Sequence, residues 1–511
     1  MRLQLLLSSA LLHLVAANEF GSHSHCCEAL RKAGLGQSLI SSTNVFAFQT
    51  SLAKYFSLSA RLSPQCFFQP RDSTEVSEGI KALVRANQTQ SCQFAVRGGG
   101  HMHWAGAAGI EKGVTIDMGK INHVAYHEQN SSVSVGAGAV WGEVYSYLDK
   151  INIMVTGARS SSVGVAGSTL GGGNSYHAGS RGLICDGVLQ YEIVLGDGSI
   201  VTASKDERAD LFRALKGGSS NMGLVTRFDY QAYEGGKMFG GVIKHSLDTA
   251  DQQFASLHKF ANAINFDPYS SIIVISNYFS IMKDGFFSDV LDYAKPAKRS
   301  EIPIMRDFLA IKNKLGDSTG LRNMTSLAHE FEVPKDSRVS FSTLTFKNDV
   351  RVMRKAHEAF LQVVSKLKAE AKGSWGILTL YQPIPTIFAK HGNENGGNVL
   401  GLDRFKDTLI LYEPYLKWEG SDQDELFNGQ SHYLREVVST YARSIGADNE
   451  WLYLNYADRD QSPLEGYGAE NVARIRAASR KYDPEGVFQY MMPGGFKVSR
   501  VRAPCKQYDL R

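Results

Sequence analysis

Two glycine-rich stretches hold the residues best placed to do chemistry. The first runs from Val96 through Arg97, Gly98, Gly99 and Gly100 to His101. Three successive glycines let backbone N–H groups close on an anion with no side chain in the way, so a phosphate or pyrophosphate is its natural guest. The second, Ser160 to Gly173, adds the hydroxyls of Ser160, Ser161, Ser162, Ser168 and Thr169 to a further set of glycines. Two such loops in one domain can wrap an extended dinucleotide. Neither is a P-loop, because no Gly-Lys-Ser/Thr follows, and neither opens a helix with the GxGxxG fingerprint. His101, at the exit of the triple glycine, is the candidate reactive side chain, and His103 is its ordinary hydrogen-bonding counterpart.

The elements that must carry these loops alternate between strand and helix from residue 64 to 235. Asp72 to Glu75 has capping-box spacing ahead of the helical stripe Val76, Ile80, Leu83 and Val84. Strands are expected at Phe94–Val96, Val114–Met118 and Val133–Ala137, the last leading into an amphipathic helix with Trp141, Val144, Tyr145 and Leu148. Tyr191–Leu195 and Ser199–Ala203 flank Gly196-Asp197-Gly198, a hairpin signal. Beyond residue 236 the glycine clusters thin out. Long helices (248–263 and 350–371) there alternate with aromatic-rich strands at Trp375–Tyr381 and Thr408–Tyr415. Residues 446–511 hold a helix at about 469–482 and no core of their own.

The whole chain has 511 residues, more than one hydrophobic core usually supports, so two packed units are expected. Hydrophobic residues at 43% and charged residues at 21% give no support to disorder or coiled coil. A net charge of +4 without a basic run excludes nucleic acid as a natural partner. Residues 1–17, an Arg2 followed by an apolar run and small residues at Val15 and Ala17, have the form of a secretory signal. No other stretch approaches the roughly 18 apolar residues needed to span a bilayer, and a secreted or endomembrane-lumen protein follows. That route permits disulfides among Cys26, Cys27, Cys66, Cys92, Cys185 and Cys505. A bridge between the adjacent Cys26 and Cys27 would be strained, so Cys66 and Cys92 are the expected partners of the pair. Asn87, Asn130 and Asn323 each open a glycosylation sequon. There is no metal-ligand motif.

The order and spacing of the glycine segments resemble the berberine-bridge-enzyme-like branch of the FAD-linked oxidases that share the vanillyl-alcohol-oxidase fold, in particular its fungal secreted members. Arg97 to His101 resembles the family's Arg-x-Gly-Gly-His, and Val163 to Gly173 its second loop. Asp210 to Gly218 with Asn221 to Thr226 is similar to its end-of-domain signature; Tyr453 to Tyr456 and Lys481 to Pro484 are similar to its C-terminal return. The resemblance implies an α+β chain: a PCMH-type FAD-binding domain (18–235), an α+β substrate domain (236–445), and a segment (446–511) that packs back on the first. It also implies FAD held covalently by His101 at its 8α methyl group, a bond a neutral imidazole can make as nucleophile. Around it, Arg97, Gly98, Gly99, Gly100, Ser162, Val163, Gly164, Gly167, Ser168, Gly172, Gly223, Val225 and Asn455 would bind the cofactor. Relatives with a second tether carry a Cys where Ser160 stands, and Cys185 is too far along to replace it, so a single tether is expected. Val163 falls where relatives control oxygen access.

Oxidation by a flavin requires a base facing the ring to take a proton as hydride leaves carbon. Aligning Leu409–Trp418 with the plant relatives' base-bearing strand puts Leu411 where their Glu stands. Glu413 lies two residues on, sharing a face with Tyr415 and opposite to Tyr412, and is the candidate base. Tyr453 is the second catalytic candidate. The implied function is an oxygen-dependent FAD oxidase of a small, specialised-metabolite-like molecule. Hydride would pass to covalent flavin and then to oxygen as hydrogen peroxide, with ring closure as one outcome. A carbohydrate oxidase, which Ser160 disfavours, a flavin-bound cyclase without net redox change, and a binding protein with vestigial flavin are the alternatives.

Overall fold

Period-two and period-3.6 patterning resolves into three principal sheets and the helices that cover them. The computed structural model describes residues 24–332 and 335–502, so the leader read at 1–17 and Cys505 lie outside the described residues. The first sheet orders Leu39–Ser41, Cys66–Phe68, Val114–Asp117 and Phe94–Arg97, the last three mutually parallel. The helix Ser73–Asn87 crosses between two of them. Asp72 caps it by accepting from Glu75 N–H at 2.8 Å, while the Glu75 carboxylate reaches back to Arg71 N–H rather than to the cap residue itself. A second, antiparallel sheet runs Val124–His127, Ser132–Gly136, Leu224–Gln231, Val188–Val194 and Ile200–Ser204. Its outer pair is the hairpin around Gly198, whose φ of +83° suits a residue without Cβ. Together these give a mixed α+β fold.

The third sheet has ten antiparallel strands drawn from Met238 to Asn449. At its centre Trp375–Ile384 and Leu409–Trp418 pair along their full length, from Trp375 opposite Trp418 to Ile384 opposite Leu409. The first runs three residues beyond the expected 375–381, because residues on both faces are buried and the pairing continues through Pro383, while the second has the bounds 409–418 used to place Glu413 and runs past the shorter 408–415. Alternation sorts the two faces. Ile243, Val274, Tyr381 and Tyr412 join a core under the helices Ala250–Ala263 and Val350–Glu370. Ile275, Leu380, Leu411 and Tyr415 face the opposite way, toward the glycine loops. The C-terminal helix Ala469–Tyr482 lies against Ala209–Leu215, with Lys481 and Tyr482 bonded to Asp210 at 2.7 Å each.

Cys26 bridges Cys92 and Cys27 bridges Cys66, so the paired cysteines tie the helix His25–Leu30 to the first sheet. Cys185 is free and buried. The three sequon asparagines are exposed. Among the described residues no helix is long and apolar enough to cross a membrane.

Arg97 ends the strand that delivers the first loop, and its side chain turns down into the sheet. Nη2 meets Asp117 at 2.8 Å, Nη1 donates to Ser51 C=O at 2.6 Å, and the guanidinium sits 4.5 Å from the Tyr55 ring. Both charges are 1% exposed, and against the upward push of burial the guanidinium, with Lys54 and Gln69, holds the Asp117 carboxyl below its usual range. Removing the guanidinium leaves the buried carboxylate with only the half-exposed Lys54 ammonium, 3.5 Å away, as counter-charge. Arg97→Met is therefore expected to lower unfolding stability by about 3–5 kcal/mol, measured by denaturant titration; a loss below about 1 kcal/mol would contradict this reading.

Candidate functional site

The two glycine loops meet backbone to backbone. A Cβ on Gly99 would come 2.5 Å from the Cα of Gly164, and one on Gly164 only 2.4 Å from the Gly99 nitrogen. No other residue fits at either position without moving a main chain. The second loop is fixed from behind: Trp141 N–H donates to Val163 C=O at 3.0 Å, and the Ser168 hydroxyl accepts from the Trp141 indole and donates to Gly164 C=O. Across the loop Asn455 donates to Gly167 C=O at 3.0 Å and accepts from Gly173 N–H at 3.3 Å. Tyr453 accepts from Asn174 N–H at 2.6 Å.

Beside this contact opens a cavity of about 770 Å³, with the glycine loops on one wall and the cavity-facing side of the large sheet on the other. His101 lines it, stacked on Phe56 with ring centroids 4.1 Å apart and Nε2 3.2 Å from the Ser162 hydroxyl. Burial pulls its pKa down to about 4, outweighing the opposing charge of Glu332, so the imidazole is neutral at physiological pH. Glu332 accepts from the Ser161 hydroxyl and, at 3.1 Å, from Ser162 N–H. Burial pushes its carboxyl up, but those donors prevail and hold it below its usual range.

The facing sheet brings Asn277, Leu378, Leu380, Glu413 and Tyr415 to the cavity. Glu413 is 6% exposed, and burial drives its carboxyl up to about 8 against the pull of Arg159. Burial likewise raises the Tyr453 phenol well above its usual range, so its hydroxyl keeps its proton.

Of the residues singled out from the sequence, Gly98, Gly99, Gly100, His101, Val163, Gly164, Gly167, Ser168, Glu413, Tyr453 and Asn455 all line this one cavity. Ser162 touches it through His101. Arg97, Gly172, Gly223 and Val225 do not line it. Arg97 is taken up by Asp117, and Gly172 packs against Leu400. Gly223 is closed in by Ile193 and Val194, and Val225 is buried in a strand. His103 is buried, 3.3 Å from Asp458 and against the Phe341 ring. Ser160 lines the cavity, whereas Cys185 lies behind the loop, its N–H bonded to Gly172 C=O. Sequence reading passed over Arg159, Glu332 and Phe56. Arg159 adjoins the serine run and was open to notice; Glu332 and Phe56 reach the site from distant segments that carry no motif.

The site fits an extended, partly aromatic, anion-bearing cofactor: bare backbone in two loops, a neutral imidazole between them, and an apolar wall. Residues 64–204 match the FAD binding domain family. The chain is 36% identical over 481 residues to the FAD-dependent monooxygenase drtC of Aspergillus calidoustus, covering 94% of this chain and 91% of that protein. It is 38% identical over 478 residues to the FAD-dependent monooxygenase sdcF of Emericella nidulans, covering 93% and 98%. The solved structure of wild-type BBE-like 1 of Physcomitrella patens superposes with a TM-score of 0.73 at 18% identity over 90% of this chain and 98% of that one, a likeness of fold.

Gly164→Ala forces the two loops apart. The purified variant is expected to retain several-fold less FAD, read from its visible absorbance against total protein, and to lose about 1–3 kcal/mol of stability. Full FAD content with unchanged stability would show that the backbone contact does not matter.

Proposed function

We propose that this chain, which belongs to the FAD-dependent oxidoreductases of its curated relatives, is of the berberine-bridge-enzyme-like type and oxidises a small organic, specialised-metabolite-like substrate, with hydride going to a flavin tethered through His101 and electrons then passing to oxygen to give hydrogen peroxide. The observation that carries this reading is the neutral, Phe56-stacked imidazole at the mouth of the paired glycine loops. When bound, the flavin supplies two-electron acceptance and reoxidation by oxygen.

In this reading residues 18–235 hold the flavin, 236–445 hold the substrate and 446–511 return to close the site. Gly98, Gly99, Gly100, Gly164 and Gly167 offer bare backbone to the cofactor. Ser162 engages Nε2 of His101, so Nδ1 is the nitrogen proposed for the 8α bond. Ser160 stands where a second tether would need a thiol, which supports a single one. Asn455 keeps the second loop closed at both ends, and Val163 on the wall sets oxygen access.

Glu413 takes the proton from the substrate O–H or N–H. Its raised pKa suits a base working near neutrality, where proton affinity and ionised fraction are both appreciable. Tyr453, whose oxygen already accepts from Asn174 N–H, keeps its proton to donate toward the reacting centre. Passage through an oxidising compartment accords with the two disulfides, and secretion and glycosylation are proposed with it.

The names of the curated relatives favour a second reading, insertion of one oxygen atom into the substrate. With isotopically labelled oxygen the oxidase reading predicts one peroxide per oxygen consumed and no label in product; label in product selects the monooxygenase.

After acid precipitation the yellow chromophore is expected to stay in the protein pellet and to move to the supernatant in His101→Ala. Colour in the wild-type supernatant would exclude the tether. The ionised form of Glu413 is the active one, so kcat/KM should rise with pH and level off above about 8. Glu413→Gln should lose on the order of 10²- to 10⁴-fold in rate together with that inflection; a variant that keeps the inflection would assign the base elsewhere.

A further inference from the structure

Arg159 lies immediately before the serine run of the second loop and lines the cavity although only 5% of it is exposed. Its Nη2 donates to Gln382 Oε1 at 2.6 Å and to the Tyr456 hydroxyl at 2.8 Å, both neutral acceptors. Among the described residues no carboxylate pairs with it. Asp292 is buried with both carboxyl oxygens lacking a partner, and burial drives its carboxyl well above the usual range. Glu330, on the cavity wall, lies 3.5 Å from Arg322, its own counter-charge. Glu413 is largely protonated at neutral pH. Only Nη2 of Arg159 carries a hydrogen bond among the described residues, and the side chain lines the cavity, so its fork has donors to spare there.

A guanidinium does not lose its proton in a protein, and a buried charge without a counter-ion is costly. A planar fork with donors to spare matches an anionic oxygen or a carboxylate. Resting on the reading that this cavity is the substrate chamber, we propose that Arg159 is a specificity residue that selects substrates bearing an anionic oxygen (carboxylate, phenolate or enolate) and fixes that oxygen in the chamber that Glu413 lines from the facing sheet. The substrate class is then an acidic aromatic or polyketide-like molecule rather than a neutral sugar.

The test is calorimetric titration of the purified holoenzyme with benzoate and with its neutral isostere benzamide. A charge-assisted hydrogen bond makes benzoate about 10- to 100-fold the tighter ligand. Arg159→Gln should erase that preference, and Arg159→Lys should recover part of it. Lys244→Gln, which removes the other cation on the wall, should leave it intact. Equal affinity of the wild-type protein for the two probes, or no detectable binding of either, overturns the proposal whatever the variants do. A preference that survives in Arg159→Gln overturns it too, as does a preference lost in Lys244→Gln. Equal binding together with a changed flavin reduction potential in Arg159→Gln assigns the guanidinium to the cofactor instead. Flavin content is read separately, so a protein that proves to hold no flavin overturns the functional reading, whereas a flavin-loaded protein without the benzoate preference overturns this proposal alone.

Discussion

Everything in the site depends on one contact between main chains, Gly99 against Gly164. Each glycine occupies the space a Cβ on the other would need, so the two loops close to a separation that no side chain allows. That approach places His101 next to Ser162 and both beside the cavity. The ion pair of Arg97 and Asp117 anchors the first loop from below, and Trp141 with Ser168 anchors the second from behind. Buried charge and hydrogen bonding thus serve a geometry defined by the absence of atoms.

The opposite wall follows from a different rule. Period-two alternation along Leu409–Trp418 sends Tyr412 into the helix-covered core and Glu413 and Tyr415 to the cavity. The same burial that makes a strand residue structural raises an acid's pKa when it has no partner, and Glu413 is the result. Arg159 beside it gains no such relief, since a guanidinium stays charged. One chamber therefore holds a neutral imidazole, a carboxyl poised near neutrality and a permanent cation, three environments set by desolvation acting on three chemistries.

The glycine loops, the place of His101 between them and the strand carrying Glu413 were legible in the sequence, because each rests on local spacing: a triple glycine after a strand, a serine and glycine run, alternation along a strand. Helix starts and the hairpin at Gly198 were legible for the same reason, and vicinal strain led to the right partners for Cys26 and Cys27. What escaped depends on tertiary meeting. Glu332 is an isolated acid until the fold carries it to Ser161 and Ser162, and Phe56 an isolated aromatic until it stacks on His101. Arg97, Gly172, Gly223 and Val225 show the converse, residues in the right motif whose side chains or Cβ space face the packed interior. A motif fixes where the backbone goes, and only packing decides which atoms reach the cavity.

The central claim is a covalent bond at His101. Trypsin cleaves after Arg97 and Lys112 and so releases residues 98–112 as one peptide containing it. Mass spectrometry of the digested native protein should find that peptide heavier by one flavin nucleotide, with fragmentation placing the added mass on His101. An unmodified peptide in a protein whose flavin leaves freely on denaturation, or flavin mass on any other residue, would contradict the account.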